Sequence, residues 1–352
     1  MSLRGTFATL ALSLAATLAG TPLFLRAARR WGLLDRPNAR SAHTRATPRG
    51  GGMVVLAASA LALGLAAPWR EATRLHVAVL MGAVLMALVG LLDDRLRLSV
   101  GPKLVLQITV AAAVVWAAGD ALPRLPLPQP LDLPLSGWGA AVAVVWLVAV
   151  VNFYNFLDGI DGLAAVQGLI TGLGIVLAGW DPLAGAAGAA LAGASLGFLF
   201  FNWSPARVFL GDAGSALLGF AFAALPFMAP AAARPGAVFF VALSLWLFLA
   251  DGVWTVARRL ALGQDVLEAH REHVYQRLVR SGLTHREVAL GVGLGSAALT
   301  LVALLARRAS STALDWAALA AALVLFGAEL AVLRRRDGGG AVRDSLPARA
   351  AP

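Results

Sequence analysis

Long apolar segments, each followed by a short polar stretch, run along almost the whole chain. Most of these segments approach the roughly 20 residues that a helix needs to cross the hydrocarbon core of a bilayer. The pattern therefore predicts an all-α integral membrane protein with about eleven transmembrane helices. The predicted helices lie near residues 5–25, 51–68, 75–92, 104–118, 138–157, 162–180, 183–201, 208–230, 236–257, 287–306 and 312–333.

The basic residues are distributed unevenly between the two sets of connecting segments. If residues 26–50 lie in the cytoplasm and the predicted helices alternate in direction, 22 of the 29 Lys and Arg residues fall on that side. Cytoplasmic segments of membrane proteins carry such an excess, so the N-terminus is predicted to be periplasmic and the C-terminus cytoplasmic. Residues 1–336 are predicted to form one polytopic membrane domain. Residues 337–352, rich in Gly, Ala and Arg, are predicted to form a disordered cytoplasmic tail.

The composition agrees with this fold class and narrows the chemistry. The chain is 59% hydrophobic and 14% charged, with a mean hydropathy of +0.77, as expected of a protein that is mostly transmembrane helix. It has no Cys, which excludes disulfides and thiolate metal sites. In a membrane protein, a net charge of +10 favours anionic lipid or a phosphorylated substrate as a partner over nucleic acid.

The polar cluster that organises the site lies in the segment Val151–Leu163, between two apolar runs. It holds Asn152 and Asn155, whose amide groups suit a sugar or a base, and then Asp158 and Asp161. Ionisable groups at the edge of the hydrocarbon indicate a functional site. A polar turn is the alternative, because Asp-Gly pairs form turns readily.

A second cluster places Asp93 and Asp94 at the end of a predicted helix, with Lys103, the only lysine, shortly after them. The helix dipole disfavours anions at this end, so adjacent carboxylates favour a bound divalent cation that carries phosphate oxygens. A general-base role is a further possibility, and a plain helix end entering a charged loop is the alternative. Lys103 suits a phosphate as a point charge.

A third cluster runs from Phe201 to Ser215, with Asn202 at the end of one predicted helix and Asp212 in the next. Asp212 lies between glycines and is a candidate ligand of Mg²⁺, which usually takes one or two carboxylates and completes its shell with water and phosphate. Phe209 could stack on a base or simply pack. Asp251, near the inner end of the ninth predicted helix, could face the same cavity or support it.

Two basic segments could hold an anion. Arg49 precedes three glycines, residues 50–52, whose exposed amides could bind an anion, although a flexible hinge is the alternative. The last long loop carries His270, His273 and Arg277, which suit an anion better than a metal because no third metal ligand is near. An amphipathic surface helix is the alternative there. All these clusters fall on the predicted cytoplasmic face, which therefore is the predicted location of the active site.

The ordered motifs LLDDR, NFYNFLDGIDGLA and FNWSPARVFLGDAGS, followed by the His-containing loop, resemble the polyprenyl-phosphate N-acetylhexosamine 1-phosphate transferase superfamily, glycosyltransferase family 4. The resemblance covers the chain from Asp35 to about Arg286. It implies transfer of an N-acetylated sugar-1-phosphate from a UDP-sugar to undecaprenyl phosphate, with release of UMP. It further implies a requirement for Mg²⁺, for which Mn²⁺ could substitute, a multi-pass location in the bacterial inner membrane and a homodimer.

The resemblance also implies roles for individual residues. Asp212 would bind the metal, with Asp93 as a second candidate ligand. The implied catalytic residues are Asp93, Asp94, Asp158 and Asp161. The implied substrate-binding residues are Arg49, Lys103, Asn152, Asn155, Asn202, Phe209, His270, His273 and Arg277. Either an Asp attacks phosphorus or the lipid phosphate attacks directly; we favour direct attack assisted by Asp93 or Asp94.

The last loop departs from two branches of the superfamily. It reads His270-Arg-Glu-His273-Val-Tyr-Gln-Arg, without the consecutive histidines of the muramoyl-pentapeptide branch or the His-x-His-His form of the N-acetylglucosamine branch. It looks most like the branch that initiates O-antigen, and Arg49 stands where relatives often have Lys. Phospho-N-acetylmuramoyl-pentapeptide transferase is the second candidate. A secondary transporter is the alternative from another class, but it should place polar residues near the bilayer midplane.

Overall fold

The computed structural model describes residues 3–35, 46–119, 121–266, 268 and 270–344. Almost all of this part of the chain that forms regular structure is helical. The helices are α1 (Leu3–Arg30), α2 (Gly52–Ala66), α3 (Arg74–Leu96), α4 (Val100–Ala118), α5 (Gly139–Leu157), α6 (Leu163–Ala178), α7 (Pro182–Asn202), α8 (Asp212–Ala224), α9 (Arg234–Ser244), α10 (Trp246–Ala261), α11 (Val274–Arg280), α12 (His285–Ala309) and α13 (Thr312–Asp344). Two short antiparallel strands are β1 (Leu34–Asp35) and β2 (Thr47–Pro48).

The predicted all-α class is confirmed. Seven of the described helices are long and apolar enough to cross a membrane, or eight if the bent pair α9–α10 is one span. Three shorter apolar helices, α2, α6 and the segment Asp212–Met228, complete the set. Each of the eleven predicted segments overlaps one of these elements. The number of helices that cross the membrane and their orientation stay predictions.

One predicted helix is broken. The sequence predicted a single helix over residues 236–257, whereas the chain bends by 78° between α9 and α10. The break leaves backbone groups without helical partners, and these need partners inside an apolar environment. The side chain of Gln167 on α6 donates to the carbonyl of Ser244 at 2.8 Å. The Ser244 hydroxyl lies 2.9 Å from that of Thr300 on α12, so neighbouring helices stabilise the break.

Two further features follow the bent pair along the chain. A short helix, α11, forms within the last long loop. Helix α13 extends to Asp344. The disordered tail predicted over residues 337–352 stays a prediction. Residues 345–352 lie outside the described residues, as does the segment 36–45 of the first loop.

Helix α8 lies at the centre of the bundle and contacts α2, α3 and α5. Its residues from Ala213 to Ala224 are all buried. Close approach depends on glycines: a Cβ on Gly90 of α3 would overlap the carbonyl of Asp212, and one on Gly52 would overlap the backbone of Gly214. These contacts bring the start of α8 to the end of α3 and the start of α2, which is where the polar clusters meet.

Candidate active site

A cavity of about 510 Å³ opens where α5, α7, α8, α11 and α12 begin or end. Its size is within the range of small-molecule sites. It is lined by Asp35, Arg49, Asn155, Asp158, Gly159, Ile160, Asp161, Asn202, Phe209, Gly211, Asp212, Arg271, Gln276, Val279, Arg280 and His285. Seven of the predicted site residues are among them.

Arg49 joins two carboxylates from different helices. Its Nε lies 2.8 Å from Oδ1 of Asp94, and its Nη2 lies 2.7 Å from Oδ1 of Asp212. Burial by itself lowers the pKa of Arg49, but the charges of Asp212 and Asp94 outweigh burial and raise it. Arg49 is therefore a permanent cation in the wall of the cavity, and its planar guanidinium suits two carboxylates or a phosphate.

Lys103 forms a second cationic contact beside Arg49. Its Nζ forms an ion pair with Asp93 and lies 3.9 Å from Oδ2 of Asp212. Neither Asp93 nor Lys103 lines the cavity itself, so both lie one contact behind Asp212. The cluster on α3 and α4 and the cluster at the start of α8, predicted separately, thus form one network of charges.

Asp94 fixes the start of α8. Its carboxylate accepts hydrogen bonds from the backbone N–H groups of Asp212 and Ala213, each at 3.2 Å. A carboxylate is favourable at this end of a helix, where N–H groups lack partners. Gly211 precedes α8 with φ +77°, and a Cβ there would lie 2.9 Å from Oδ2 of Asp94. Asp94 therefore binds the backbone of the neighbouring cluster as well as Arg49.

Asp158 follows the last residue of α5 and lines the cavity. Burial raises its pKa, the nearby cation of Arg49 opposes this, and the negative charges of Asp212 and Asp94 raise it further. The net shift is strongly upward. Asp158 is thus a carboxyl whose proton is retained to higher pH than usual, which is typical of groups that exchange protons in active sites.

Asp161 contacts two segments that are distant from it in the chain, at Ala206 and at His285. It accepts a hydrogen bond from the backbone N–H of Ala206 at 3.1 Å, and its Oδ2 lies 3.4 Å from Nδ1 of His285. Burial raises the pKa of Asp161, but the contacts with His285 and Ala206 outweigh it and lower the pKa.

His285 was not among the residues predicted from the sequence. The pattern Thr284-x-x-Glu287 is a capping box that marks the start of a helix at His285, and it could have located this residue at the helix end.

The three predicted asparagines have different places. Asn155 lines the cavity. Asn202 also lines it, but its side chain accepts from Gly162 N–H at 3.0 Å and donates to the carbonyl of Val208 at 2.9 Å. Asn152 does not line the cavity, because its Nδ2 donates to the side chain of Gln107 on α4 at 2.8 Å. Residues three apart on a helix are about 60° apart around its axis, which is enough to direct Asn152 and Asn155 to different neighbours.

The histidines of the last loop lie away from the cavity lining. His273 is buried, with Nδ1 3.0 Å from Oδ1 of Asp251, and the ring of His270 stacks on it at 5.1 Å between centroids. Burial lowers the pKa of His270, as does the neighbouring His273. Arg277 does not line the cavity either. Residues 270–273 are not helical, since α11 begins only at Val274, so the two histidines precede the helix that forms in this loop.

Other residues of the same loop line the cavity in their place. They are Arg271, Gln276 and Arg280, none of which sequence reasoning selected. Within the described part of the chain, Nη2 of Arg271 and Oε1 of Gln276 are buried without a hydrogen-bond partner. Buried polar atoms are normally paired, so these two are available to a ligand. Arginines in a loop of mixed charge give no sequence signal that separates them from ordinary positive-inside residues.

Two of the three glycines after Arg49 engage their N–H groups in backbone hydrogen bonds, so these two amides are not open to an anion. The N–H groups of Gly51 and Gly52 donate to the carbonyls of Phe209 and Leu210, at 2.9 and 2.8 Å. Phe209 N–H in turn donates to the carbonyl of Pro48 at 2.8 Å. The glycines thus serve a backbone contact that fixes Arg49 next to Phe209 in the cavity wall.

Among the described residues, no three acidic or histidine side chains are grouped so as to hold a metal ion by themselves. The oxygen donors of Asp212 and Asp93 nevertheless suit Mg²⁺, which needs few protein ligands when a substrate supplies phosphate oxygens. Arg49 and Lys103 compensate the same carboxylates.

Apolar helices whose ends hold aspartate, arginine and lysine around one cavity are typical of membrane enzymes that act on phosphorylated substrates. Residues 76–229 match the model of glycosyl transferase family 4. The chain is 31% identical over 284 residues to the protein named "Probable undecaprenyl-phosphate N-acetylglucosaminyl 1-phosphate transferase" of Bacillus subtilis, covering 78% of this chain and 77% of that one. The chain therefore belongs to glycosyl transferase family 4, in the polyprenyl-phosphate hexosamine-1-phosphate transferase superfamily.

Two further relatives cover similar shares. The decaprenyl-phosphate N-acetylglucosaminephosphotransferase of Mycolicibacterium smegmatis is 32% identical over 300 residues, which are 74% of this chain and 72% of that one. The undecaprenyl-phosphate alpha-N-acetylglucosaminyl 1-phosphate transferase of Yersinia pestis is 30% identical over 309 residues, 84% and 82% of the two chains. The similarity thus extends well beyond the family match.

Proposed function

We propose that this chain transfers an N-acetylated sugar-1-phosphate from a UDP-sugar to undecaprenyl phosphate, giving a lipid-linked diphosphosugar and UMP. The observation that carries the proposal is the position of Arg49 between Asp94 and Asp212 at a cavity beside the ends of membrane helices. The names of the relatives support N-acetylglucosamine as the first sugar to test.

In this reaction an oxygen of the lipid phosphate forms a bond to the phosphorus that bears the sugar, and the bond from that phosphorus to the oxygen of UMP breaks. Such a transfer depends mainly on positioning and charge neutralisation. Arg49 and Lys103 provide the two cations closest to Asp212. We propose direct attack by the lipid phosphate, with Asp94 and Asp93 assisting by holding these cations in place. A phosphosugar bound covalently to the enzyme in the absence of lipid would contradict this mechanism.

We propose that Asp212, with Asp93 beside it, holds Mg²⁺, or Mn²⁺ in its place. The metal supplies charge neutralisation at the diphosphate when it is bound. The carboxylate oxygens at this point are the ligands that such ions prefer. Asp94 is already engaged by the start of α8 and by Arg49, so we assign it to positioning.

The remaining lining residues suit the two ends of the donor. We propose that Phe209 stacks on uracil, and that Asn155, Asn202 and Asp161 form the polar wall near the nucleoside. The lining residues from the last loop include two arginines, Arg271 and Arg280, and the unpartnered polar atoms of Arg271 and Gln276 suit the diphosphate and the sugar. Under this arrangement His270 and His273 support the loop and do not touch the donor.

The proposed product is the first lipid-linked intermediate of a cell-surface glycan. O-antigen is the first candidate for that glycan, because the last loop lacks the consecutive histidines of the peptidoglycan branch. Phospho-N-acetylmuramoyl-pentapeptide transferase is the second candidate. The excess of basic residues supports a bacterial inner-membrane location with the cavity open to the cytoplasm, where UDP-sugars are made. A homodimer is also proposed, on the resemblance alone.

The test is release of UMP by full-length protein in detergent, with undecaprenyl phosphate, Mg²⁺ and a panel of UDP-sugars. We expect release from UDP-N-acetylglucosamine or a related N-acetylated sugar, and loss of release in Asp212→Asn. The matched control is Asp132→Asn, because Asp132 also pairs with an arginine, at 2.9 Å from Arg124, but lies outside this cavity. UMP only from UDP-muramoyl-pentapeptide would assign the chain to peptidoglycan. Folded protein that releases no UMP from any donor would contradict the proposal and favour a transporter.

A further inference from the structure

Asp251, in the middle of α10, is a buried carboxylate that lies outside the cavity lining. Its Oδ1 accepts from the N–H of Val274 and from the hydroxyl of Thr255, both at 3.0 Å, and its Oδ2 accepts from Tyr275 N–H at 3.1 Å. His273 Nδ1 adds a fourth contact at 3.0 Å. Several charged hydrogen bonds of this kind compensate for burial of a carboxylate. Asp251 therefore fixes the start of α11 against α10.

Helix α11 carries groups that point in two directions. Val274, Tyr275 and Leu278 are buried against the bundle, whereas Gln276 and Arg280 line the cavity. A rigid seven-residue helix transmits any displacement of its first turn to its whole length. The position of Asp251 therefore determines where this wall of the cavity lies.

The hydroxyl of Tyr275 continues the chain of contacts to α5. It donates to the carbonyl of Phe156 at 2.9 Å, near the end of α5, where backbone carbonyls lack helical partners. It also fills the space beside Gly159, where a Cβ would overlap the Tyr275 hydroxyl. Phe156 and Gly159 flank the segment that holds Asp158. The hydroxyl of Tyr275 is thus a direct support for the backbone that presents Asp158 to the cavity.

We propose that Asp251 on α10 and Tyr275 on α11 are positioning residues for the transfer reaction: together they set the place of both Asp158 and the α11 wall of the cavity. The assignment of a reaction to this cavity rests on the proposed function. The contacts by which Asp251 and Tyr275 position the cavity wall do not depend on it. Neither residue touches the donor or the acceptor in this arrangement.

The first variant is Tyr275→Phe, and the chain offers a matched control. The only other tyrosine, Tyr154, is also buried and also donates its hydroxyl to a backbone carbonyl, that of Ala164 at 2.7 Å. We expect Tyr275→Phe to lower kcat by at least about tenfold, because small displacements of reacting groups are costly, with KM for the donor changed less than kcat. We expect Tyr154→Phe to retain activity at a similar Tm.

A second measurement does not depend on the reaction. Because the chain has no cysteine, Val279→Cys in the wall of the cavity would carry the only thiol. We expect its rate of maleimide labelling to change several-fold when Tyr275→Phe or Asp251→Asn is added, and to stay constant with Tyr154→Phe. Altered labelling without UMP release in any background would retain the positioning link and reject the proposed function.

A double-mutant cycle then tests whether the two residues act through the same helix. We expect Asp251→Asn combined with Tyr275→Phe to show the kcat loss of the more severe single variant, since residues that act as a unit are not additive. Unchanged labelling in both single variants, or kcat losses that multiply as for independent sites, would overturn the proposal.

Discussion

At the level of single residues, the site depends on which carboxylates each cationic side chain contacts. Arg49 contacts two carboxylates at once through different nitrogens of its guanidinium, which a lysine cannot reproduce. We expect Arg49→Gln to lower the rate of UMP release by roughly a hundredfold, on the scale of losing an electrostatic stabiliser. We expect Arg49→Lys to retain part of the activity, because it keeps the charge. Equal rates in the two variants would show that the charge at this position is dispensable.

Asp158 gives a prediction on pH. Its pKa is raised by burial and by Asp212 and Asp94, so the folded protein binds this proton more tightly than the unfolded chain. Stability should therefore fall as pH rises from the ordinary carboxyl value, about 3.9, to the raised value, and then level off. Over the same range the carboxylate form of Asp158 appears, and we expect kcat to rise with it.

The measurement for Asp158 is Tm and kcat of the purified protein as a function of pH. Asp158→Asn cannot ionise, so we expect its Tm to depend less steeply on pH over this range. Identical slopes for the wild type and Asp158→Asn would show that the pKa of Asp158 is not raised in the folded protein.

Seven of the residues predicted from the sequence line the cavity, but the side chains that they contact were not predicted. Chemistry-bearing types such as Asp94, Asp158 and Asp212 stand out because carboxylates are rare beside apolar segments. Their partners do not stand out in the sequence. Arg49 and Asp212 are more than 160 positions apart in the chain, and no local sequence pattern indicates that they are in contact. His285 and Gln276 look like ordinary surface residues until the fold brings them to the cavity.

At the scale of elements, the start of α8 depends on a strained turn. Gly211 has φ +77°, and an added Cβ would also press on Asp94. Gly179, after α6, has φ +63° with open space around it. Gly179 is in the left-handed region, where Ala costs about 1–2 kcal/mol. Gly211, with ψ 171°, is in a region that glycine occupies almost alone, and Ala there costs on the order of 1–3 kcal/mol before any contact with Asp94. We expect Gly211→Ala to lower Tm further than Gly179→Ala, and to lower activity as well, because it displaces the carboxylate that fixes α8.

The control in this comparison is Gly179→Ala itself, measured by thermal unfolding and UMP release under the same conditions. If both variants lose the same stability and Gly211→Ala keeps its activity, the contact with Asp94 has no role in shaping the site.

The bent pair α9–α10 is the element that hydrophobic periodicity could not predict. The apolar run through Ser244 is continuous, so the pattern indicates one straight helix. The break is stabilised by polar side chains on α6 and α12, which are distant in sequence. It directs α10 so that Asp251 reaches α11, and thereby shapes the cavity.

At the scale of the whole molecule, the orientation in the membrane can be tested directly. The chain has no cysteine, so single cysteines at Glu71 and Gln264, both exposed, would be the only thiols. The predicted topology places the first outside and the second in the cytoplasm. We expect a membrane-impermeant maleimide to label Glu71→Cys in intact spheroplasts and Gln264→Cys only after lysis. The reverse pattern would invert the topology, and labelling of both before lysis would change the number of spans between them.

The class of the protein follows from the sequence alone, because the apolar segments and the absence of cysteine can be read directly from it and the ordered polar motifs indicate the family. The sequence also indicates which carboxylates are candidates, since few lie beside membrane helices. Which side chains meet depends on how the helices pack. The free energy of hydrophobic burial is nearly proportional to the apolar area buried and has no preferred direction. Hydrogen bonds and ion pairs, in contrast, require particular atoms to lie within a few ångströms of each other. The assignment of Arg49, Asp251, Tyr275 and His285 to their partners therefore required the packing of helices that the sequence places far apart.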